Sequence, residues 1–196
     1  MGTTMLTLIA GLILLLGVHV LTTLRPLRAQ LVGRLGEGLY KGLYSLASLL
    51  GLLLIVFGYK AYRASGYIDV WSPPLGMRHL VILLMWFAMV ALVAAYAPPS
   101  RIKRALKHPM LVGVKIWALA HLLANGDLGS IVLFGSVLAW AVYDRISLKR
   151  REPTEGAPAL AQGSAKNDVI VVAVGTVVWV AVIWLHPYLI GVPVIG

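Results

Sequence analysis

The chain has 196 residues, of which 60% are hydrophobic and 12% charged, and its formal net charge is +10. This composition excludes a disordered chain and an ordinary soluble protein, and it favours a single membrane domain over residues 1–196. Because the chain contains no cysteine, disulfides, thiolate metal sites and cysteine nucleophiles are excluded as well.

Six apolar runs predict membrane-spanning helices, since a helix needs about 20 mostly apolar residues to cross the hydrocarbon core. They are Thr4 to Leu24, Leu39 to Tyr59, His79 to Ala97, Pro109 to Asn125, Leu128 to Tyr143 and Asp168 to His186. The fourth and fifth runs are joined by an Asn-Gly-Asp turn, in which Asn and Gly suit a helix end and Asp127 suits an N-cap. We therefore expect these two helices to form an antiparallel hairpin within an all-α bundle of six transmembrane helices.

Lysine and arginine are distributed unevenly between the loops. Thirteen of them follow the first, third and fifth runs, whereas Lys60, Arg63 and Arg78 lie on the other side. Cytoplasmic loops carry the excess of positive charge, so both termini are predicted to be non-cytoplasmic. Because these charges lie beside the membrane spans, the lipid bilayer is the predicted partner and nucleic acid is excluded.

Three ionisable side chains interrupt or flank the fourth run, HPMLVGVKIWALAH, and ionisable groups at membrane depth mark functional sites by default. His108 and Lys115 share a helix face, whereas His121 points about 140° away from His108. The two histidines are therefore not expected to bind the same atom. Lys115 either extends its ammonium group towards the headgroups, pairs with Asp144, or lines the site as a cation.

Ordinary hydrolytic and phosphoryl-transfer chemistry lacks its usual residues in this sequence. The interiors of the apolar runs contain no carboxylate, and the chain has no hydroxyl nucleophile with a nearby base and no glycine-rich phosphate loop. The alternatives that remain are a cofactor-dependent enzyme and a protein without catalytic activity.

Several motifs occur in an order and spacing that resemble a known family. They are LRPLRAQLVGRLGEGLYKGLYSL, HPMLVGVKIWALAHLLANGDLGSIVLFG, AWAVYDRISLKRR and HPYLIGVPV. The chain resembles the NnrU family of bacterial membrane proteins over nearly its whole length. The resemblance implies a multi-pass protein of the bacterial inner membrane that is associated with nitrite and nitric oxide reduction, as an enzyme or as an accessory factor of a reductase.

A relative of this family, the 15-cis-zeta-carotene isomerase of plants and cyanobacteria, uses haem b with histidine ligands. The resemblance places His19, in GVHVLTTLRPLR, and His121, in WALAH, at the ligand positions. A hydrogen bond to a nearby backbone carbonyl is the alternative role for His19. Lys115 or His108 would then orient a haem propionate or a small hydrophobic substrate. Ala118 stands where the isomerase has a cysteine, which puts any ligand exchange through that cysteine in doubt.

The segment HPMLVGVKIW also resembles the RHPxYxGxxxW signature of membrane methyltransferases that use S-adenosylmethionine. Lys107 replaces the arginine of that signature, and Leu111 replaces its aromatic residue. The acidic pair expected after the next span has only poor matches, Glu152 and Glu155. The methyltransferase is therefore ranked below the haem protein.

Overall fold

The computed structural model describes residues 2–156 and 161–195. These residues form helices and no strands. The helices are α1 (Gly2–Thr23), α2 (Arg25–Leu35), α3 (Glu37–Ala64), α4 (Met77–Tyr96), α5 (Arg101–Leu106), α6 (Pro109–Ala124), α7 (Leu128–Glu155) and α8 (Ala165–Ile190).

Five of these helices, α1, α3, α4, α7 and α8, are long and apolar enough to cross a membrane. Their most apolar stretches are between 11% and 28% buried inside the protein, so most of their apolar surface is left for lipid. The fourth predicted span corresponds to α6, whose 16 residues extend for about 24 Å at 1.5 Å per residue. An all-helical membrane protein is confirmed, and the count of six spans stays a prediction.

Several helices extend beyond the predicted spans. The helix that contains the fifth span, Leu128 to Tyr143, continues to Glu155, because the basic residues that follow the apolar run favour a helix. Two shorter helices, α2 and α5, occupy basic segments that lie outside the predicted spans. A proline in the first turn starts α2, and Ser100 caps α5 by accepting a hydrogen bond from the Lys103 N–H.

The chain divides into two compact units, the first of which comprises Met1–Pro73 and Asn125–Lys149. In this unit the backbones of α1 and α3 approach closely at glycines. A Cβ atom on Gly11 would lie 2.7 Å from the backbone nitrogen of Ile55, and one on Gly58 would lie 2.6 Å from that of Leu8. Lipid is as apolar as the helix surfaces, so the hydrophobic effect does not drive helices together within a membrane. Small residues instead allow the close van der Waals packing that stabilises the helix pair.

The second unit comprises Pro74–Ala124 and Arg150–Gly196, and α4 packs against both α6 and α8. Glycines again mark the contacts, since a Cβ on Gly175 would lie 2.8 Å from the Cα of Val90. The Trp86 indole donates to the Thr176 hydroxyl at 2.9 Å, which satisfies a polar pair between two apolar helices.

Candidate functional site

His19 lies in the last part of α1 and is held from two sides. Its Nδ1 atom lies 2.7 Å from the carbonyl oxygen of Leu15, one turn earlier in the same helix. Its ring centroid lies 5.3 Å from that of Tyr44 on α3 and 5.4 Å from that of Trp140 on α7, the latter at an interplanar angle of 87°. The imidazole of His19 is therefore positioned by side chains from two other helices of the first unit.

The next turn of α1 is joined to α7 by a hydrogen bond. The hydroxyl groups of Thr23 and Tyr143 lie 3.1 Å apart, and Thr23 also donates to the carbonyl oxygen of Val20 at 2.7 Å. Because Thr23 donates to the backbone, the Tyr143 hydroxyl is the donor between the two. This contact fixes the register between α1 and the middle of α7, which brings Trp140 to His19.

His121 lies near the end of α6, in the second unit, with the same local geometry. Its Nδ1 atom lies 2.8 Å from the carbonyl oxygen of Trp117, and the two rings are 4.9 Å apart at 45°. A carbonyl oxygen only accepts, so Nδ1 carries the proton in both histidines and the lone pair lies on Nε2. The predicted carbonyl hydrogen bond of His19 therefore leaves the other ring nitrogen able to bind a metal.

Lys115 lies midway along α6 and is half-buried. Within the described part of the second unit, its ammonium group makes no hydrogen bond or ion pair. The predicted partner, Asp144, belongs to the first unit, so that pairing stays a prediction.

His108 lies at the start of α6, where the backbone is strained. The preceding residue, Lys107, has φ 58° and ψ −50°, and the His108 N–H donates to the Leu106 carbonyl at 2.6 Å. This is a γ-turn with positive φ, which residues other than glycine rarely adopt. The turn places His108 Nε2 at 3.9 Å from a carboxylate oxygen of Glu152, with both side chains largely buried.

A second polar cluster lies at the opposite end of the first unit, around the Asn-Gly-Asp turn. Asp127 is 4% exposed and caps α7, accepting from the Ser130 N–H at 2.9 Å and from the Ser130 hydroxyl at 2.6 Å. The Tyr59 hydroxyl donates to Ser130 at 2.7 Å, and Arg63 lies 3.4 Å from Asp127. The predicted N-cap is confirmed, and it is part of a larger network.

The comparisons with known proteins identify the family. The model of the NnrU family, described as NnrU protein, matches residues 7–194. The chain belongs to the NnrU family. No curated protein matches the chain, and no solved structure matches it.

In this NnrU protein, the predicted site residues fall into separate groups. His19 belongs to the first unit, and His121, Lys115 and His108 belong to the second. The described residues contain no group of three or more His, Asp or Glu side chains able to hold a metal ion.

Several side chains that contact the predicted site residues were not predicted from the sequence. Tyr44 and Trp140 lie beside His19 although they are distant from it in sequence, and Glu152, a poor match to the methyltransferase pattern, lies beside His108. The spacing of Tyr40, Tyr44 and Ser48 by four residues was a usable signal, because it places three hydroxyl groups on one face of α3.

Proposed function

We propose that this NnrU family member is a haem-b-binding protein of the bacterial inner membrane, in which His19 and His121 coordinate iron through Nε2. The observation that carries the proposal is the shared geometry of the two imidazoles. Each donates from Nδ1 to the carbonyl four residues earlier, at 2.7 Å for His19 and 2.8 Å for His121. Metal-binding histidines commonly use their second nitrogen in this way, which fixes the tautomer and orients the ring.

The surroundings of His19 support the proposal because they are largely aromatic. Tyr44 and Trp140 contact the imidazole from two sides, and their rings restrict its rotation. Bound haem supplies one-electron and Lewis-acid chemistry. The protein's contribution is then to hold the ligand nitrogen and to admit a small hydrophobic substrate from the bilayer.

The reaction that we propose is non-hydrolytic. It is either isomerisation of a polyene double bond or a reaction of a nitrogen oxide, consistent with the nitrite and nitric oxide association that the resemblance implies. A non-enzymatic accessory role for a nitrogen-oxide reductase is the alternative, and turnover of either substrate class by the purified protein would exclude it.

The test is absorption spectroscopy of the detergent-purified protein, oxidised and reduced, after expression with ample haem. We expect a Soret band in the wild type that is lost or shifted in His19→Ala and in His121→Ala. His79→Ala is the matched control, since His79 is exposed at the start of α4 and should leave the spectrum unchanged. A wild-type protein without a Soret band overturns the haem proposal, and a band unchanged in both variants overturns the ligand assignment.

A second candidate function is supported by the contact between His108 and Glu152. A methyl donor such as S-adenosylmethionine needs a carboxylate for its ribose or amino group, and Glu152 lies 3.9 Å from the histidine of the His-Pro motif. Equilibrium dialysis with labelled S-adenosylmethionine would test this candidate. Retention by the wild type that is lost in Glu152→Gln but kept in Glu155→Gln favours the methyltransferase, and no retention by the wild type excludes it.

A further inference from the structure

Some buried polar atoms of the first unit have no hydrogen-bond partner among the described residues. They include the hydroxyl of Tyr40 on α3 and the indole Nε1 of Trp140 on α7. Tyr40 is 8% exposed, so water does not solvate its hydroxyl group freely. A buried donor without an acceptor costs free energy, and such orphaned groups are rare in folded proteins unless an ion, a water molecule or a ligand satisfies them.

These donors belong to the same part of the first unit as the imidazole. The Trp140 ring stands edge-on to His19 at 5.4 Å, and Tyr44 lies 5.3 Å from His19. Tyr40 precedes Tyr44 by one turn on the same face of α3, about 6 Å along the helix axis. A hydrogen-bond acceptor that reaches the Tyr40 hydroxyl therefore lies about one helical turn from the His19 imidazole, on the side of the basic helix α2.

The positively charged side chain of Arg28, on α2, lies over the ring of Tyr40. Its guanidinium carbon is 5.7 Å from the centroid of that ring. The neighbouring carboxylate, Glu37, is engaged by Lys41 at 2.7 Å, and no described carboxylate lies within 4 Å of Arg28. The positive charge is thus not neutralised by an ion pair within the described part of the chain.

We propose that Tyr40, Arg28 and the Trp140 indole bind the carboxylate of a membrane-embedded ligand. A carboxylate offers several acceptor sites and a negative charge, which matches two neutral donors and one guanidinium. A haem propionate or the head of a long-chain fatty acid can supply this group. The choice of propionate rests on the proposed haem function, whereas the carboxylate site does not.

The experiment compares each acid with its ester, in the full-length protein in detergent. Haem b is compared with its dimethyl ester, and oleate with methyl oleate, by fluorescence quenching titrations. We expect Tyr40→Phe and Arg28→Gln each to reduce the preference for the acid by about tenfold, the cost of losing a hydrogen bond to a charged group. Lys60→Gln and Tyr96→Phe, which alter an exposed cation and an exposed tyrosine, should leave it unchanged.

Each result is decisive. A preference for haem over its ester that falls in both variants supports the propionate site. If the wild type binds no haem but prefers oleate to methyl oleate, and both variants lose that preference, the carboxylate site stands and the haem function fails. If the wild type prefers neither acid, or if the preference survives in both variants, the proposal is overturned.

Discussion

The imidazole of His19 meets the indole of Trp140 edge-on, with ring centroids 5.4 Å apart and planes at 87°. This geometry places the positive edge of one ring against the face of the other, which is the favourable arrangement for aromatic pairs. Together with the carbonyl of Leu15 at Nδ1, it leaves the imidazole little freedom to rotate. The orientation of His19 therefore depends on α7 as well as on its own helix.

The edge contact should be measurable as a coupling free energy. Between His19→Leu and Trp140→Leu we expect about 0.5–1.5 kcal/mol of coupling in the ligand-free protein, from thermal or denaturant unfolding in detergent. Trp184 is 72% exposed, so His19→Leu combined with Trp184→Leu should be additive and serves as control. Additivity of both pairs would show that the ring contact contributes no stability.

The packing of α1 on α3 should be sensitive to one added methyl group. In Gly58→Ala the new Cβ would lie 2.6 Å from the backbone nitrogen of Leu8, which cannot move independently of its helix. We expect this variant to lose about 1–3 kcal/mol of unfolding free energy. Gly17→Ala is the matched control, because nothing lies within 4 Å of its Cβ, and the better helix propensity of alanine should make it neutral or stabilising.

The buried carboxylate of Asp127 should contribute to stability through several contacts at once. Asp127→Ala removes the cap of α7 and leaves the Ser130 hydroxyl and Arg63 without their acceptor. A lost cap and an unsatisfied buried donor together predict a loss of about 2–4 kcal/mol. Asp69→Ala, an exposed acid in the adjoining loop, should change stability by less than about 0.5 kcal/mol. Equal losses in the two variants would argue against the network.

Asp127 also illustrates how far the sequence predicts this structure. Its role as a cap could be read from neighbouring residues, as could the existence and order of the apolar helices, because capping and hydropathy are local properties. The partners of His19 and His108 could not be predicted from neighbouring residues. Tyr44, Trp140 and Glu152 lie on other helices, and their contacts depend on how those helices are aligned with one another. The continuation of α7 to Glu155 could not be predicted from hydropathy either, because an apolar run gives the extent of a membrane span and not that of the helix that contains it.

The distribution of charge predicts which side of the membrane each loop faces. Single cysteines introduced at Asn125 and at Arg104, in a chain that has no cysteine of its own, should react with a membrane-impermeant maleimide from opposite sides. Asn125 is expected to be labelled from outside intact cells and Arg104 only after permeabilisation. Labelling of both from the same side would show that α6 does not cross the membrane.

The γ-turn at Lys107 should store strain that glycine would release. At φ 58° and ψ −50° a lysine side chain is disfavoured, and such residues cost on the order of 1–3 kcal/mol. We therefore expect Lys107→Gly to raise the unfolding free energy by about 1 kcal/mol, whereas Lys41→Gly, in the regular helix α3, should lower it by about 0.5–1 kcal/mol. Unfolding in detergent measures both. If Lys107→Gly destabilises the protein as Lys41→Gly does, the turn is not strained, and backbone strain has no part in placing His108 beside Glu152.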